Sequence, residues 1–443
     1  MPRCAGWLCL LLLLAPPALR ADEPGEVLVI RAGRVIPVAG PELSPGTVVI
    51  REGKIEAVGR RVAPPPGSRL LEVPELVVMP GLISPRSRFG LPRYRRSGNH
   101  AHLSAGGEVD PTRGRFAPPL RAGYLLLGLV PEGSGIPGAA SVLRCGEADS
   151  AEGLLVEAPG YLRVAFSDLP GDKATFRDAL EKARAAIQRE EQARKAWEEK
   201  HKAQPAPAQP NVQPAQGGAS AAPVASPQPA VAAPAFQPPP IAPELAPFVA
   251  LLRGNDAPRL LIELGKASDM AHLEEVWARF KLKGRPAAWA LEYSNWSDVH
   301  LLVEQLGNEK ALVVCPPELA LEPYTRTRRN VPQELTRAGA RVALLPPGDD
   351  LPRMRRALEA AAVLVRDGLS REAALAGLTR WPAQLLGLEG SHGTLEAGRA
   401  ADLILLDGDP LAPGTRVVRV LQAGQETWRR GADEESEEDG DAR

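Results

Sequence analysis

The sequence contains few cysteines and almost no excess charge, and each scarcity excludes a class of protein. Only four of the 443 residues are cysteine, and Cys145 and Cys315 are the two beyond residue 21. Two separated thiols exclude a disulfide framework and lack metal-ligand spacing. A formal charge of -1 at pH 7 gives no overall field that would attract nucleic acid or a membrane surface. We therefore expect no nucleic-acid partner.

The remaining composition is that of a globular chain with some unstructured segments. Hydrophobic residues make up 44% and charged residues 24%, with 42 Gly and 46 Pro. These values exclude a wholly disordered or fibrous protein. The length predicts two or three domains, or one barrel with attachments.

The longest apolar run lies near the N-terminus and is too short to span a bilayer. It extends from Trp7 to Leu14, follows Arg3 and precedes Ala21. This layout predicts a secretory signal peptide at residues 1–21, and an uncleaved anchor is the alternative. We therefore expect export to the periplasm or the extracellular space, with no membrane span after cleavage.

Three segments differ from the rest in composition. Residues 173–202 are highly charged, and their pattern predicts a helix with few apolar positions. The acidic composition of residues 431–443 predicts a disordered tail. Residues 204–243 contain twelve Pro, twelve Ala and no charged residue. Such a segment cannot bury enough apolar surface to offset its ordering entropy, so it is predicted to be a disordered linker.

The other segments predict strands and helices in a definite order. Short apolar runs separated by turn residues occupy residues 26–78 and predict a small β unit. Beyond residue 79, β-rich runs alternate with helical stretches, for example Leu260 to Glu263 followed by His272 to Phe280. This alternation is typical of parallel βα units. Strand patterns return within residues 395–430.

Two blocks of sequence carry a resemblance to a known family. Val78-Met79-Pro80-Gly81-Leu82-Ile83 closes the first β unit, and Gly393 to Leu403 with Asp407-Gly408-Asp409-Pro410 follows near the other end. With these blocks, the chain resembles the amidohydrolase superfamily, in particular its imidazolonepropionase-like branch. The resemblance implies an α/β fold: a (β/α)8 TIM-type barrel plus a small β-sandwich domain built from the N- and C-terminal segments.

The resemblance and the compositional segments together predict the domain organisation. The expected parts are the signal peptide at 1–21, the β-sandwich at 26–78 and 395–430, the barrel at 79–394 with the charged helix 173–202 and the linker 204–243 inserted, and the tail at 431–443.

The resemblance also implies a metal centre that this sequence does not reproduce. In the family, one or two divalent metals, zinc or another, bind at the C-terminal mouth of the barrel and activate a water molecule. The family stretch after Pro-Gly-Leu-Ile contains a His-x-His pair, and Arg86 and Arg88 stand in its place. A guanidinium has no lone pair and stays protonated, so we expect no metal there.

The other positions of the metal site also differ from the residues that the resemblance implies. Arg163 stands where the family often has a bridging Lys, Glu263 where a strand ends in His, and Tyr293 where a second His is expected. Asp349 lies near the place of the family's catalytic Asp and is the candidate catalytic residue. We expect no cofactor, and the candidate ligand-binding residues are the degenerate positions Arg86, Arg88, Arg163, Glu263 and Tyr293.

Two alternatives stay open beside a lost metal site. A relocated metal held by His100 and His102 would make the chain an active hydrolase of cyclic or small amides. An Arg-lined pocket for anions or carboxylates is the second alternative. Ser84 and Ser87 have no neighbouring His that would activate them as nucleophiles.

The sequence therefore predicts an exported, non-catalytic relative of the amidohydrolases. Isolated buried charges are costly, so the arginines are expected to form an ion network with Glu263 where the metals would bind. The resemblance implies a homo-oligomer or association with an active amidohydrolase paralogue, with the charged helix and the linker as contact elements.

Overall fold

A computed structural model describes residues 27–167, 171–202, 235–294 and 296–431. The predicted signal peptide, residues 204–234 of the predicted linker and residues 432–443 of the acidic tail lie outside these ranges. In chain order, the strands are β1 (Val27–Val35), β2 (Gly46–Arg51), β3 (Lys54–Gly59), β4 (Arg69–Pro80), β5 (Leu82–Ser87), β6 (Arg95–Arg96), β7 (Tyr124–Leu129), β8 (Glu132–Gly133), β9 (Gly138–Ala139), β10 (Ser141–Arg144), β11 (Leu155–Val156), β12 (Leu162–Ala165), β13 (Leu260–Leu264), β14 (Ala288–Leu291), β15 (Leu312–Cys315), β16 (Ala320–Leu321), β17 (Arg328–Arg329), β18 (Arg341–Leu344), β19 (Leu403–Leu406), β20 (Val417–Gln422) and β21 (Gln425–Arg429). The α-helices are α1 (Ala151–Leu154), α2 (Asp172–Lys202), α3 (Ala246–Arg253), α4 (Ala267–Phe280), α5 (Val303–Asn308), α6 (Val331–Ala338), α7 (Leu351–Met354), α8 (Ala357–Arg366), α9 (Arg371–Leu378) and α10 (Arg380–Leu386). Short 3-10 helices occur at Ala105–Glu108, Pro118–Ala122, Pro243–Leu245 and Val299–Leu302.

The two ends of the described chain share one sheet. Val, Ile and Leu in the terminal segments suit a pleated surface, and seven strands pair in the order β21-β20-β19-β4-β1-β2-β3. β4 is the junction: it runs parallel to β1 and antiparallel to β19, where Val78 lies opposite Leu405. Apolar side chains from both ends pack in one core, including Ile30, Val48 and Leu403. The sheet therefore joins the N- and C-terminal segments.

Gly33 lies at the closest approach between β1 and β4. The pairing register shifts between Ala32 and Arg34, and a Cβ at position 33 would overlap the carbonyl oxygen of Pro74. We expect Gly33→Ala to lower the free energy of unfolding by about 2 kcal/mol, because the strands must move apart to admit the methyl group. Gly40→Ala is the matched control, since nothing lies within 4 Å of its Cβ position. Denaturant unfolding measures both variants, and equal stability of the two would contradict this close packing.

The central part of the chain closes into a barrel. β12, β13, β14, β15 and β18 are parallel neighbours, and β5 pairs in parallel with β7. β18 in turn contacts β5. Residues 138–144 occupy the remaining place, because β9 pairs antiparallel with β12 and β10 pairs antiparallel with β7. Within the described ranges, the barrel wall therefore consists of seven parallel strands and one antiparallel segment.

Strand alternation separates the barrel interior from its outer layer. Successive residues of a strand point to opposite faces, so every second residue faces inward. Outward-facing residues such as Trp289, Val313 and Val342 pack in the larger core. The parallel strands all end at one mouth, where the βα loops begin. The interior is filled by Ile83, Leu126, Leu261, Ala290, Val314 and Ala343.

The charged segment forms the longest helix, α2. Its 31 residues span about 46 Å at the usual rise per residue. The first half is anchored on the barrel by the buried side chains of Phe176, Leu180 and Ala183, whereas the second half is mostly exposed. The predicted helix at 173–202 corresponds to this element. Across the ranges that the structure describes, no helix is both long and apolar enough to cross a membrane.

Candidate functional site at the barrel mouth

Charged side chains from four strands meet at the barrel mouth. Arg86 lies in β5, Arg163 in β12 and Glu263 in β13, and Glu292 follows the last residue of β14. Glu292 comes two residues after the inward-facing Ala290, so alternation directs its side chain toward the same mouth. The site is therefore built from strand ends rather than from distant loops.

Glu263 is the centre of this cluster and is only 2% exposed. Arg163 donates from Nε to Oε1 and from Nη2 to Oε2 of Glu263, both at 2.8 Å. Arg86 donates from Nη1 to Oε1 of the same carboxylate. The Nη1 of Arg163 donates to the carbonyl oxygens of Pro131 at 3.2 Å and Gly133 at 3.0 Å. All three nitrogens of Arg163 and both oxygens of Glu263 therefore have partners within the protein.

Mutual attraction keeps these groups ionised despite their burial. Burial by itself would raise the pKa of Glu263, but Arg163 and then Arg86 lower it to about 2. Burial would lower the pKa values of Arg86 and Arg163, but Glu263 raises both above their ordinary value. At neutral pH Arg86, Arg163 and Glu263 therefore hold two positive charges and one negative charge, fixed by direct hydrogen bonds.

Glu292 is a site residue that sequence interpretation missed. Its side chain is 50% exposed, and its Oε1 lies 4.0 Å from Nη1 of Arg86. Burial, followed by repulsion from Glu263, raises the pKa of Glu292. The sequence signal that could have identified Glu292 is the pair of small residues Ala288 and Ala290, which alternate on the interior face of the strand. They place residue 292, rather than residue 293, on the inward side of the strand end.

Tyr293 is predicted to line the site, but the structure places it in the outer layer. Its side chain packs against the larger core, and its hydroxyl faces the thiol of Cys315. Burial raises the pKa of Tyr293 well above its usual range and raises that of Cys315 to about 12. Both groups are therefore neutral at physiological pH. Cys315 and Cys145 are free and buried.

Arg88 and Asp349 make contacts away from Glu263. Nη2 of Arg88 donates to the carbonyl oxygen of Pro92 at 2.7 Å and lies 3.2 Å from Oε2 of Glu132. β5 ends at Ser87, so the alternation that would align residues 86 and 88 does not continue. Asp349 is exposed and accepts a 2.7 Å hydrogen bond from Oγ of Ser87. Of the predicted site residues, the structure brings together Arg86, Arg163 and Glu263.

The residues at the mouth do not fit the divalent metal that the resemblance implies. Both oxygens of the buried Glu263 are bound by guanidinium groups. Arg86 and Arg163 offer no lone pair, and their charges would repel a cation. Counting only the described residues, no group of three or more His, Cys, Asp or Glu side chains is arranged to hold a metal ion.

The relocated-metal alternative rests on His100 and His102, which lie in a loop after β6. Their ring centroids are 6.5 Å apart, and Nε2 of His100 is 3.0 Å from the carbonyl oxygen of Ser97. In the part of the chain that the structure covers, no third ligand completes a site with them. The hydroxyl of Ser84 donates to the carbonyl oxygen of Arg86 at 2.8 Å. Its hydrogen is therefore held by the backbone and not by a histidine that could act as a base.

Comparisons with known proteins identify the family. A family model described as the amidohydrolase family matches residues 156–432. The chain is 30% identical over 167 residues to imidazolonepropionase of Rhizobium meliloti (strain 1021), a match covering 33% of this chain and 40% of that protein. It is 34% identical over 146 residues to imidazolonepropionase of Acinetobacter baumannii (strain AB307-0294), covering 31% and 35%. The chain thus spans well under half the length of the curated relatives it matches.

A solved structure agrees with the described architecture. The crystal structure of an amidohydrolase from Thermotoga maritima MSB8 aligns with a TM-score of 0.68 and 20% identity, over 91% of this chain and 100% of that chain. At this identity the likeness concerns the fold, and it confirms the predicted α/β class. The family match, which extends over more than half of the residues, decides the assignment: the chain belongs to the amidohydrolase family.

Proposed function

We propose that this protein is a non-catalytic member of the amidohydrolase family, in which an internal ion cluster stands at the metal position of its relatives. The observation that supports this proposal is the pairing of Glu263 with both Arg163 and Arg86. A hydrolase of this family needs a metal-activated water at the mouth. Two guanidinium groups supply neither a lone pair nor a base at neutral pH.

The bonding of the cluster favours a filled site over an open anion pocket. Arg163 is 12% exposed at its side chain, and each of its nitrogens already donates to Glu263 or to a backbone carbonyl. At Arg163, an incoming anion would have to replace the carboxylate of Glu263, which is covalently tethered and therefore present at high effective concentration. The cluster thus acts as a plug that stabilises the barrel mouth.

Elemental analysis of the purified full-length chain tests the proposal. We expect zinc, manganese, iron and nickel to be present far below one ion per chain, because the buried carboxylate is already neutralised by arginine. The melting temperature should be the same with and without a chelator, since no bound metal would stabilise the folded state. One tightly held metal ion per chain, with a lower melting temperature after chelation, would overturn the proposal.

The proposal includes export and a role in association. A signal peptide at residues 1–21 would deliver the chain to the periplasm or the extracellular space. There the exposed half of α2 would provide a surface for a second copy or for an active paralogue. Fractionation of cells that express the full chain, with N-terminal sequencing of the product, tests export, and a chain that stays in the cytoplasm with residues 1–21 intact would contradict it. Light scattering of the full chain, alone and mixed with an active family member, tests association.

A further inference from the structure

A groove lies beside the barrel mouth, between the segments that follow β15 and β18. It has a volume of about 540 Å³, within the usual range of small-molecule sites. Its apolar lining includes Pro317 and Leu319, which follow β15, and Pro347 and Val363, which follow β18. The segments after parallel barrel strands are where barrel proteins form ligand sites. The groove shares no lining residue with the cluster around Glu263.

Three arginines stand around this apolar groove. Arg328 comes from β17, Arg353 from α7 and Arg356 from the residue before α8. Arg328 is exposed, whereas the neighbouring Arg329 pairs with Glu322 and Glu334. The lining also contains Glu318 and Glu359, which leaves one excess positive charge in the lining, and Asp350 pairs with Arg353 at its edge.

The existing ion pairs of these arginines are weak enough to yield to a ligand. Nε of Arg353 is 2.7 Å from Asp350, and the Arg353 side chain is 65% exposed. Nε of Arg356 is 3.3 Å from Glu359, and its side chain is 69% exposed. Exposed pairs of this kind are weak because water screens both charges, so an incoming anion can replace them at little cost.

We propose that this groove binds an amphipathic monocarboxylate, with its apolar body between Leu319 and Val363 and its carboxylate among Arg328, Arg353 and Arg356. The apolar lining selects the hydrocarbon body through burial. The three guanidinium groups select the anionic end, since they present planar donors that match a carboxylate. This binding site goes beyond the proposed function and does not depend on the state of the barrel mouth.

Calorimetric titration of the full chain with octanoate, octanamide and acetate tests the ligand class. We expect octanoate to bind at one site and octanamide to bind about tenfold more weakly, because the amide lacks the charge that the arginines attract. Acetate should give no measurable binding, since it has almost no apolar body. Failure of octanoate to bind, or equal affinity for octanamide, would overturn the proposal.

Substitutions of lining residues test whether the ligand binds in the groove. The double variant Arg353→Gln/Arg356→Gln is expected to weaken octanoate binding about tenfold. Arg355→Gln is the matched control, because Arg355 lies between these residues in sequence, is exposed and does not line the groove. Val363→Trp should abolish binding by filling the groove while leaving the melting temperature nearly unchanged.

Two results would reject the location or the ligand class. If Arg355→Gln weakens binding as much as the double variant, the effect comes from general surface charge. If an acidic peptide binds at Arg353 and Arg356 while octanoate does not, the groove serves a protein partner instead.

Discussion

Glu263→Gln is expected to lower the free energy of unfolding by about 4 kcal/mol. Glutamine keeps the size of the side chain but removes the negative charge that neutralises Arg86 and Arg163. Arg86 and Arg163 would then keep only the half-exposed Glu292, 4.0 Å from Arg86, as a counterion, and their remaining hydrogen bonds to a neutral amide would be weaker. Denaturant unfolding followed by circular dichroism measures the change.

Glu292→Gln is the matched control for this substitution. Glu292 is a carboxylate at the end of the neighbouring strand, but half of its side chain is exposed and it lies 4.0 Å from Arg86. We expect its replacement to change stability by less than about 1 kcal/mol. A double-mutant cycle of Glu263→Gln with Arg163→Gln should give a coupling energy of about 2 kcal/mol or more, because both residues belong to one network. Equal, small effects of both single carboxylate variants would contradict the ion cluster.

Acid should remove the same stabilisation gradually. The pKa of Glu263 is lowered from its ordinary value of 4.5 to about 2 in the folded protein. A carboxylate with a lowered folded-state pKa contributes stability that is complete above pH 4.5 and is lost as the pH falls toward 2. The stability difference between the parent and Glu263→Gln should therefore be constant from pH 7 to pH 5. It should then shrink by about 3 kcal/mol as the pH approaches 2.

The pH dependence of this stability difference should be measured with Glu292→Gln present in both proteins. Glu292 faces Arg86 and Glu263, and its raised pKa means that it gains a proton in the folded state before Glu263 does. With residue 292 uncharged, the remaining charged partners of Glu263 are Arg86 and Arg163, which do not titrate in this range. A stability difference that stays constant down to pH 2, or that widens, would show that Glu263 is not held ionised by the arginines.

The fold could be predicted because its signals are local and periodic. Apolar runs such as Leu260 to Leu264 and Leu312 to Cys315 are too short for helices and recur between helical stretches, so they predict buried parallel strands. The charges of residues 173–202 predict a helix with a narrow buried face, and α2 has one. The antiparallel segment at 138–144 carries no such signal, because strand direction depends on tertiary pairing.

The candidate site could be predicted only where strand alternation holds. Arg163 and Glu263 lie within regular strands, so their positions follow from those of the neighbouring residues. Arg88 follows the end of β5, where the chain turns and its side chain reaches Glu132 instead. The sequence interpretation assigned Tyr293 to the site, whereas the structure places Glu292 there. The two positions differ by one residue at a strand end, and a shift of one residue moves a side chain to the opposite face of the strand. The sequence does not fix the residue at which a strand ends, so a shift of this kind is seen only in the three-dimensional structure.

The pairing of β4 with β19 has a consequence for synthesis on the ribosome. β4 is translated before the barrel strands, whereas β19, which covers its other edge, is translated after them. Until then, the apolar edge of Val77, Val78 and Met79 stays open to chaperones and proteases.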